Sequence, residues 1–435
     1  MFGYYTELAL RSLRRSPVLT ALMVLAIGLG IGASMTMLTV LHVMTADPVP
    51  GKSARLFYPQ LDPRDSQGYK PGQEPLDQLT WIDALNLLHA RRGSAQVAMT
   101  GGRVTVRPPQ GEGRAFFATA RYASADFFTM FNVPFAYGHG WSSSDDGKQA
   151  RVVVLERKLA DKLFGAERAV GQTLHLGKEA FRVIGVIDRW NPVPHYYDLS
   201  HGAYAHSEEV FLPLETAMGL KFGTQGSMYC WGSMGSMPSD KRLVDTCAWL
   251  QFWVQLDTPR AAADYRDFLI HYSQEQKSLG RFQRPPNAAL HDVMGWLAAN
   301  HVVPGGVQLQ ALLALGFLLV CLVNTVALLL VKFLRRGGEL SVRRAMGASR
   351  QSVFAQLLIE ASMIGLGGGV LGLLLALGGL WIVRQQPAQY ASLAQLDSQM
   401  LANTLALALV ATLLAAVFPA WRACRLPPAR ALKIR

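Results

Sequence analysis

The chain has 435 residues, of which 50% are hydrophobic and only 17% are charged, and its net charge is +12. An average soluble protein has about 25% charged residues, so this composition argues against an ordinary soluble domain. A basic excess of this size would suggest nucleic acid as the partner of a soluble protein. That inference depends on where along the chain the basic residues lie.

Four long stretches contain no charged residue. A helix needs about 20 apolar residues to cross the hydrocarbon core of a bilayer, so we predict four membrane-spanning helices. The first stretch follows a basic segment, as a signal peptide would, but it is too long for a signal-peptide core and lacks a convincing cleavage site. We therefore expect it to be retained. The charge-free stretches are 18–41, 311–331, 361–383 and 404–421.

The basic excess is concentrated in three segments that flank these stretches. Residues 1–16 carry a net charge of +2, and residues 332–350 and the segment after Trp421 each carry +5. Together they equal the whole net charge, and residues 45–305 are almost neutral. Basic flanks of membrane helices stay in the cytoplasm, and four crossings bring all three segments to one side. They are thereby explained without nucleic acid, which we do not expect as a partner.

The predicted fold class is membrane α-helical, with four transmembrane helices and a mixed α/β extracytoplasmic domain inserted between spans 1 and 2. Both termini are expected in the cytoplasm. The predicted segments are a cytoplasmic N-terminal segment 1–17, transmembrane helix 18–44, an outer domain 45–305, transmembrane helix 306–334, a cytoplasmic loop 335–350, transmembrane helix 351–384, a short outer loop 385–400, transmembrane helix 401–421 and a cytoplasmic tail 422–435.

Helical and alternating patterns both occur in the outer domain, which indicates mixed α/β structure. We predict that residues 218–242, rich in glycine, serine and methionine, form a loop or small insertion. The other predicted elements are helices at 80–92 and 259–280, strands at 103–107, 114–123, 208–218 and 249–257, an aromatic-rich helix and turn at 125–141, a strand and helix at 150–165 ended by Gly165, and a hairpin at 172–190.

Two of the four cysteines fall in the outer domain. Cys230 and Cys247 are 17 positions apart, and an oxidising compartment would allow them to pair. Closing a loop of that size contributes about 3 kcal/mol in the entropic description of disulfides. The alternative is two unpaired thiols. Cys321 and Cys424, within and just after predicted spans, are expected to be small apolar fillers.

No catalytic, nucleotide-binding or metal-binding motif stands out. The ten histidines show no tight metal spacing, and the Gly-Lys-Ser at 51–53 lacks the earlier glycine of a phosphate-binding loop. We expect no enzymatic activity, cofactor or metal in this chain. Polar residues in membrane spans are functional candidates by default, and here they are Asn324, Glu360 and Asn403. A glutamate near the membrane surface, paired with a nearby arginine, is the alternative interpretation of Glu360.

The basic segment between the second and third spans has the pattern of a short amphipathic helix. Its "ELSVRRAM" gives about two turns with partial apolar coverage. Gly347 fits the C-terminal cap of that helix, and Ser349 fits the N-cap of the third span. A helix on the cytoplasmic face would offer a surface to a partner, whereas the alternative is a plain basic loop.

The run "GELSVRRAMGASRQSVFAQLLIEASMIGLGGGVLG" resembles the signature of the MacB/FtsX-type permeases of ABC transporters. The ending "FPAWRACRLPPARALKIR" is similar to the ending of the same family. In the outer domain, "ASADFFTMFNVPFAYGHGW", "VVVLERKLADKLFG" and "AVGQTLHLGKEAFRVIGVI" resemble the MacB-like periplasmic core. The resemblance covers nearly the whole chain and keeps the same order and topology.

The resemblance implies a permease subunit in the bacterial inner membrane, with its large domain in the periplasm and membrane lipid around its spans. It implies a dimer with a second permease chain, identical or paralogous, and a cytoplasmic ABC ATPase that holds ATP and Mg. MacB itself carries its ATPase at its N-terminus, so we expect a separate ATPase polypeptide here. The helix between spans two and three would be the coupling helix. By match, the residues that contact the ATPase are Glu339, Arg343, Arg344, Ala345, Met346, Gly347 and Ala348.

Three functions remain open. The first is efflux with a periplasmic adaptor and an outer-membrane duct, in which ATP-driven closure of the ATPase moves the periplasmic domains. The second is mechanotransmission that extracts lipoproteins or regulates an envelope enzyme. The third is a membrane-anchored sensor without an ATPase. No outer-domain residue indicates the cargo.

Overall fold

The computed structural model describes residues 2–109, 113–232, 240, 242, 244–303, 305–385 and 398–425. The chain divides into two compact units. Met1–Thr45 and Val303–Arg435 form one unit, which we call the membrane unit. Ala46–Val302 form the other, which we call the outer domain.

The helices bear out most of the helical patterns in the sequence. They are, in chain order, α1 (Phe2–Arg15), α2 (Pro17–Thr45), α3 (Trp81–Ala90), α4 (Phe127–Met130), α5 (Ser143–Gly147), α6 (Arg157–Phe164), α7 (Leu214–Gly219), α8 (Pro259–Ser278), α9 (Val293–Ala299), α10 (Gly305–Arg335), α11 (Gly337–Ala345), α12 (Arg350–Arg384) and α13 (Ser398–Cys424).

Four helices of the membrane unit are long and apolar enough to cross a membrane. They are α2, α10, α12 and the Ala406–Cys424 part of α13. The interior of this unit is built from apolar side chains of all four helices, such as Ile27, Leu318, Leu357 and Ala416. The four charge-free stretches of the sequence therefore coincide with the four apolar helices. The described part of the short outer loop predicted at 385–400 ends at Gln385 and resumes in α13, so most of that loop lies outside the described residues.

The membrane unit also contains two shorter helices, α1 and α11. Helix α1 precedes α2 and was not predicted, although its polar and apolar residues repeat with a helical period. Helix α11 lies between α10 and α12, where the sequence predicts a short amphipathic helix. Ala9 and Ser12 of α1 are buried, while Arg11 and Arg14 are exposed. Helix α1 is therefore amphipathic and packs one face on its own unit.

The outer domain is built on one mixed sheet. Its strands are β1 (Leu56–Leu61), β2 (Leu79–Thr80), β3 (Ala95–Arg107), β4 (Phe116–Ala123), β5 (Phe135–Gly138), β6 (Val152–Glu156), β7 (Thr173–Leu176), β8 (Glu179–Ile187), β9 (Val210–Pro213), β10 (Thr224–Gln225), β11 (Tyr229–Cys230), β12 (Cys247–Gln255) and β13 (Ala288–Asp292).

The main path of the sheet runs in the order β13-β1-β12-β3-β4-β9-β6-β8-β5. Most neighbouring strands are antiparallel, but β4 pairs with β9 and β6 pairs with β8 in parallel. Helices and loops cover the sheet, and the core includes Leu87 of α3, Phe181 of β8, Phe252 of β12 and Tyr265 of α8. The class is mixed α/β, as the sequence predicts.

Several parts of the outer domain differ from the sequence prediction, among them β9 with α7, and the pair β1 and β13. Residues 208–218 were predicted to be a strand, but the strand β9 ends at Pro213 and α7 follows it. Strands β1 and β13 were not predicted, and they pair with each other over Phe57–Leu61. Strand β1 pairs with β12 only at its first two residues, so Pro59 lies where the strand is paired on one side. Proline is tolerated at such positions, although it weakens the strand pattern in the sequence.

Candidate coupling site

The C-terminal end of α11 and the start of α12 are both capped. Gly347 follows it with a φ of +101°, and the amide of Ala348 donates to the carbonyl of Arg343 at 3.1 Å. The side chain of Ser349 accepts a hydrogen bond from the amide of Ser352 and caps α12. These are the glycine C-terminal cap and the serine N-cap that the sequence predicts. The segment therefore forms a helix with a C-terminal cap rather than a plain basic loop.

One face of α11 is buried and the other is exposed. Leu340 and Ser341 are buried within the membrane unit. On the other face Met346 is 77% exposed, although methionine is an apolar residue. Val342 of the same helix is 45% exposed as well. Neighbouring exposed apolar groups are a feature of docking surfaces. We call this surface the α11 tip, and it consists of Val342, Ala345, Met346 and Gly347.

A buried carboxylate lies beneath α11. Glu360 of α12 is fully buried, and its Oε1 lies 2.8 Å from Lys332 Nζ of α10. Its Oε2 accepts a hydrogen bond of 2.8 Å from Arg336 Nη1, at the junction of α10 and α11. Ser12 Oγ of α1 donates to the same carboxylate at 2.5 Å. Glu360 therefore contacts groups from three other parts of the membrane unit.

A second carboxylate continues this network onto α11. Glu339 receives hydrogen bonds of 3.1 and 3.2 Å from Arg336 Nη2, and it pairs with Arg343 at 3.3 Å and with Arg15 of α1 at 3.8 Å. Partial burial opposes ionisation of Glu339, but the hydrogen bonds and charges of these arginines outweigh it and hold its pKa below its usual range. We call this set the ionic cluster, and its members are Ser12, Arg15, Lys332, Arg336, Glu339, Arg343 and Glu360.

The two arginines of the signature make contacts within their own chain. Arg343 Nη1 donates to Gln356 Oε1 of α12 at 3.1 Å, and Arg344 Nη1 donates to the carbonyl of Cys424 in α13 at 3.1 Å. Both side chains are half-buried, and Ala348 is half-buried as well. Of the seven residues implied to contact an ATPase, Ala345, Met346 and Gly347 are exposed.

The polar residues of the predicted spans differ in their environment. Asn324 of α10 and Asn403 of α13 are exposed on the surface of the membrane unit. Glu360 is the member of this group that lies in the interior. Glu360 pairs with Arg336, as in the alternative interpretation of a glutamate paired with a nearby arginine. It also pairs with Lys332, a second cation that the sequence did not indicate.

The outer domain contains a disulfide between Cys230 and Cys247. The two residues face each other across the antiparallel pair β11–β12. The bond therefore ties the small β11 strand, in the segment predicted as a loop or insertion, to a central strand of the sheet. Cys321 and Cys424 are buried thiols in the membrane unit.

The outer domain also holds a buried charge network that the sequence did not reveal. Arg121 of β4 is fully buried, pairs with Asp198 at 2.7 Å and donates two hydrogen bonds to Glu208. Tyr197 donates to Glu208 at 2.9 Å, and the ring of His195 contacts the Tyr197 hydroxyl at 2.5 Å. Burial opposes ionisation of both carboxyls, but the charge of Arg121 outweighs it and lowers their pKa values.

A groove of about 590 Å³ opens beside α3 and α5 in the outer domain. Asp126, Asp146, Glu215 and His89 are among its lining residues. Burial, with the charges of Glu215 and Asp126 adding to it, raises the pKa of Asp146 to about 7, although a hydrogen bond from the amide of Ala125 acts in the other direction. Within the described ranges, no three His, Cys, Asp or Glu side chains are grouped to hold a metal ion.

Comparison with known proteins yields matches along nearly the whole chain. Residues 20–267 match the MacB-like periplasmic core domain. Residues 311–428 match the FtsX-like permease C-terminal domain. The two matches follow each other in the order that the sequence resemblance implies, and they confirm that resemblance.

Two named export proteins are similar in sequence to most of this chain. The pyoverdine export ATP-binding/permease protein PvdT of Pseudomonas fluorescens is 24% identical over 376 residues, which cover 84% of this chain and 50% of that protein. The macrolide export ATP-binding/permease protein MacB of Azoarcus sp. is 24% identical over 376 residues, with 86% of this chain and 51% of that protein covered. The chain thus spans about half the length of these relatives.

One solved structure aligns with part of this chain at low sequence identity and a low TM-score. The periplasmic region of MacB from Actinobacillus actinomycetemcomitans aligns with 57% of this chain and 94% of its own, at 15% identity and a TM-score of 0.35. The family assignment rests on the two domain matches, of which the first alone covers more than half of the chain. The chain belongs to the family of MacB-like and FtsX-like ABC transporter permeases, with a MacB-like periplasmic core domain.

Proposed function

We propose that this chain converts the ATP-driven closure of a cytoplasmic ABC ATPase into movement of its outer domain, and that the ATPase docks on the α11 tip. The observation that carries the proposal is Met346, an apolar side chain that is 77% exposed at the C-terminal end of α11, next to the Gly347 cap. Beneath the tip, Arg336 connects Glu339 of α11 to Glu360 of α12. The tip is therefore a contact surface that is mechanically attached to the membrane helices.

The proposed topology has α1, α11 and the end of α13 in the cytoplasm. These elements meet at one end of the membrane unit, since Arg15 pairs with Glu339 and Arg344 binds the carbonyl of Cys424. Their segments carry the basic excess of the chain, and basic flanks remain on the cytoplasmic side. The outer domain then lies in the periplasm of a bacterial inner membrane.

The proposed partners follow from the family. We expect a second permease chain, identical or paralogous, and an ATPase that holds ATP and Mg on its own residues. The relatives PvdT and MacB are named ATP-binding/permease proteins, which supports an ABC ATPase as the partner. Both names also include export, and this favours efflux with a periplasmic adaptor and an outer-membrane duct. The alternative function is mechanotransmission that extracts lipoproteins or regulates an envelope enzyme.

The test is purification of the chain in a mild detergent from cells that produce it, with mass spectrometry of the proteins bound to it. Three forms are compared: the wild type, Met346→Glu and Leu279→Glu. Leu279 is a matched control, because it is an apolar residue with 71% exposure in the outer domain. We expect an ABC ATPase with the wild type and the control, and loss of that ATPase from Met346→Glu, since a buried charge without a partner weakens an interface.

The other outcomes decide between the alternatives. A wild type that binds no ABC ATPase would contradict the proposed function. Unchanged ATPase binding by Met346→Glu would contradict docking on the α11 tip. A periplasmic adaptor among the bound proteins supports efflux, whereas lipoproteins or a cell-wall hydrolase without an adaptor would shift the assignment to mechanotransmission.

A further inference from the structure

Four parts of the membrane unit meet at the side chain of Glu360. Lys332 belongs to α10, Arg336 lies between α10 and α11, Ser12 belongs to α1, and Glu360 itself belongs to α12. The first three contact the Glu360 carboxylate at 2.8, 2.8 and 2.5 Å. We infer that Glu360 is a positioning residue, which holds α11 in a fixed orientation to α1, α10 and α12 so that these helices move as one body. The inference extends the proposed function, because it assigns the connection between the docking tip and the membrane helices.

Lys332 shows that this contact is built into the interior. Lysine near the end of a membrane helix normally extends its ammonium group to the surface. Here the side chain is only 2% exposed and points to Glu360, and its ammonium lies 3.4 Å from Thr20 Oγ1 of α2. A buried charge is stable only when it is paired and hydrogen-bonded, so Lys332 and Glu360 hold each other in place.

Arg336 transmits this restraint to α11. One of its terminal nitrogens binds Glu360 and Ser12, while the other binds Glu339 on the first turn of α11. The planar guanidinium of arginine fixes the directions of all these hydrogen bonds together. A displacement of α11 must therefore move Glu360 with it or separate charges in a region of low dielectric constant, which is costly. Helix α1 is attached to the same point through Ser12.

The inference can be tested without the ATPase, by measuring the distance between α1 and α11. Spin labels are attached to Cys residues introduced at Arg14 and Met346, which are both exposed. Cys321 and Cys424 are replaced by alanine, and the full chain is studied in detergent by pulsed electron paramagnetic resonance. We expect one narrow distance distribution in the otherwise wild-type chain and loss of the narrow component in Glu360→Gln. Asn324→Ala is the control, because it changes an exposed polar residue of α10 and should retain the narrow component.

A charge exchange separates electrostatic positioning from simple loss of packing. The double variant Lys332→Glu/Glu360→Lys keeps the number of charges and returns a carboxylate to the neighbourhood of Arg336. We expect it to restore the narrow component that Glu360→Gln loses. If Glu360→Gln does not accumulate, the double variant is measured in its place. A narrow distribution then supports the inference, and a broad one or failure to accumulate overturns it.

The distance measurement tests the role of Glu360 independently of whether an ATPase docks on the α11 tip. Identical narrow distributions in the wild type and Glu360→Gln would overturn the positioning role, whatever ATPase is bound. Loss of ATPase from Met346→Glu together with a narrow α1–α11 distance distribution in Glu360→Gln would leave the docking proposal intact and remove only this inference.

Discussion

Gly372 of α12 lies against Ile31 of α2, so closely that a Cβ atom at position 372 would be 2.9 Å from Cγ2 of Ile31. One turn earlier, a Cβ atom at Gly368 would be 2.6 Å from Cγ2 of Ile27. The glycine run of the third span therefore serves close packing between two helices of the same chain. Small residues of this kind allow helix backbones to approach in a membrane.

Replacing Gly372 by valine should separate α2 from α12. The new side chain would collide with Ile31, and overpacking of this kind costs about 1–3 kcal/mol. The measurement is the thermal unfolding midpoint of the detergent-purified chain. Gly378→Val is the matched control, because no described atom lies within 4 Å of a Cβ at that position of the same helix. Equal midpoints for the two variants would contradict the packing interpretation.

Replacing Arg121 by methionine should strongly destabilise the outer domain. Asp198 and Glu208 would remain buried without their cation, and breaking a buried ion pair in this way costs about 3–5 kcal/mol. The urea midpoint of the purified chain, followed by tryptophan fluorescence, measures the loss. Arg103→Met is the control, because Arg103 is an exposed residue of the neighbouring strand β3. A midpoint unchanged from the wild type would show that the network is not required for stability.

Removing the disulfide should lower the stability of the outer domain by about 3 kcal/mol, as the entropic model gives for a loop of this size. Cys230→Ser/Cys247→Ser tests this by thermal unfolding with and without a reductant. The wild type should lose stability when reductant is added, and the double variant should not respond. Cys321→Ala should still respond, because Cys321 is a buried thiol of the membrane unit. Insensitivity of the wild type to complete reduction would be inconsistent with a stabilising bond.

The pKa of Asp146, raised to about 7, makes a prediction about pH. The folded chain binds this proton more tightly than the unfolded chain, so stability from this group is full below about pH 4 and is lost as pH rises to about 7. Asp146→Asn should therefore be more stable than the wild type by about 1–2 kcal/mol at pH 8, with a smaller difference at pH 5. Unfolding curves at the two pH values check this, with the exposed Asp264→Asn as the control. The opposite dependence on pH would refute the assignment.

Much of the membrane unit could be predicted because its signals are local. Charge-free runs of sufficient length predict apolar helices, and a glycine or serine at a helix end predicts a cap, as at Gly347 and Ser349. Contacts between distant parts of the chain have no such signal. Nothing near Lys332 in the sequence indicates that it pairs with Glu360, which lies 28 positions away. Nor does the sequence indicate that Arg343 and Arg344, which the resemblance implies contact an ATPase, also bind groups of α12 and α13.

In the outer domain, too, the sequence does not indicate contacts between residues that are far apart in the chain. Alternation places Arg121 on the opposite face of β4 from Ala120 and Tyr122, which pack in the core. A sequence pattern takes the opposite face as solvent-exposed, but the segment that holds Tyr197 and Asp198 covers it here. The disulfide pairing was anticipated from compartment and spacing, while its position across β11 and β12 depends on a register that only the fold supplies.

The pairing of β1 with β13 brings the first and last strands of the outer domain together. The first strand of the outer domain is β1 and its last strand is β13, and Phe57 lies directly opposite Asp292 in their antiparallel pair. The whole insertion therefore begins and ends at adjacent points, as in domains that tolerate transplantation. A different globular domain whose termini lie close together could therefore take the place of the outer domain in the sequence between α2 and α10. Exchange of such domains would let one kind of membrane unit carry different outer domains.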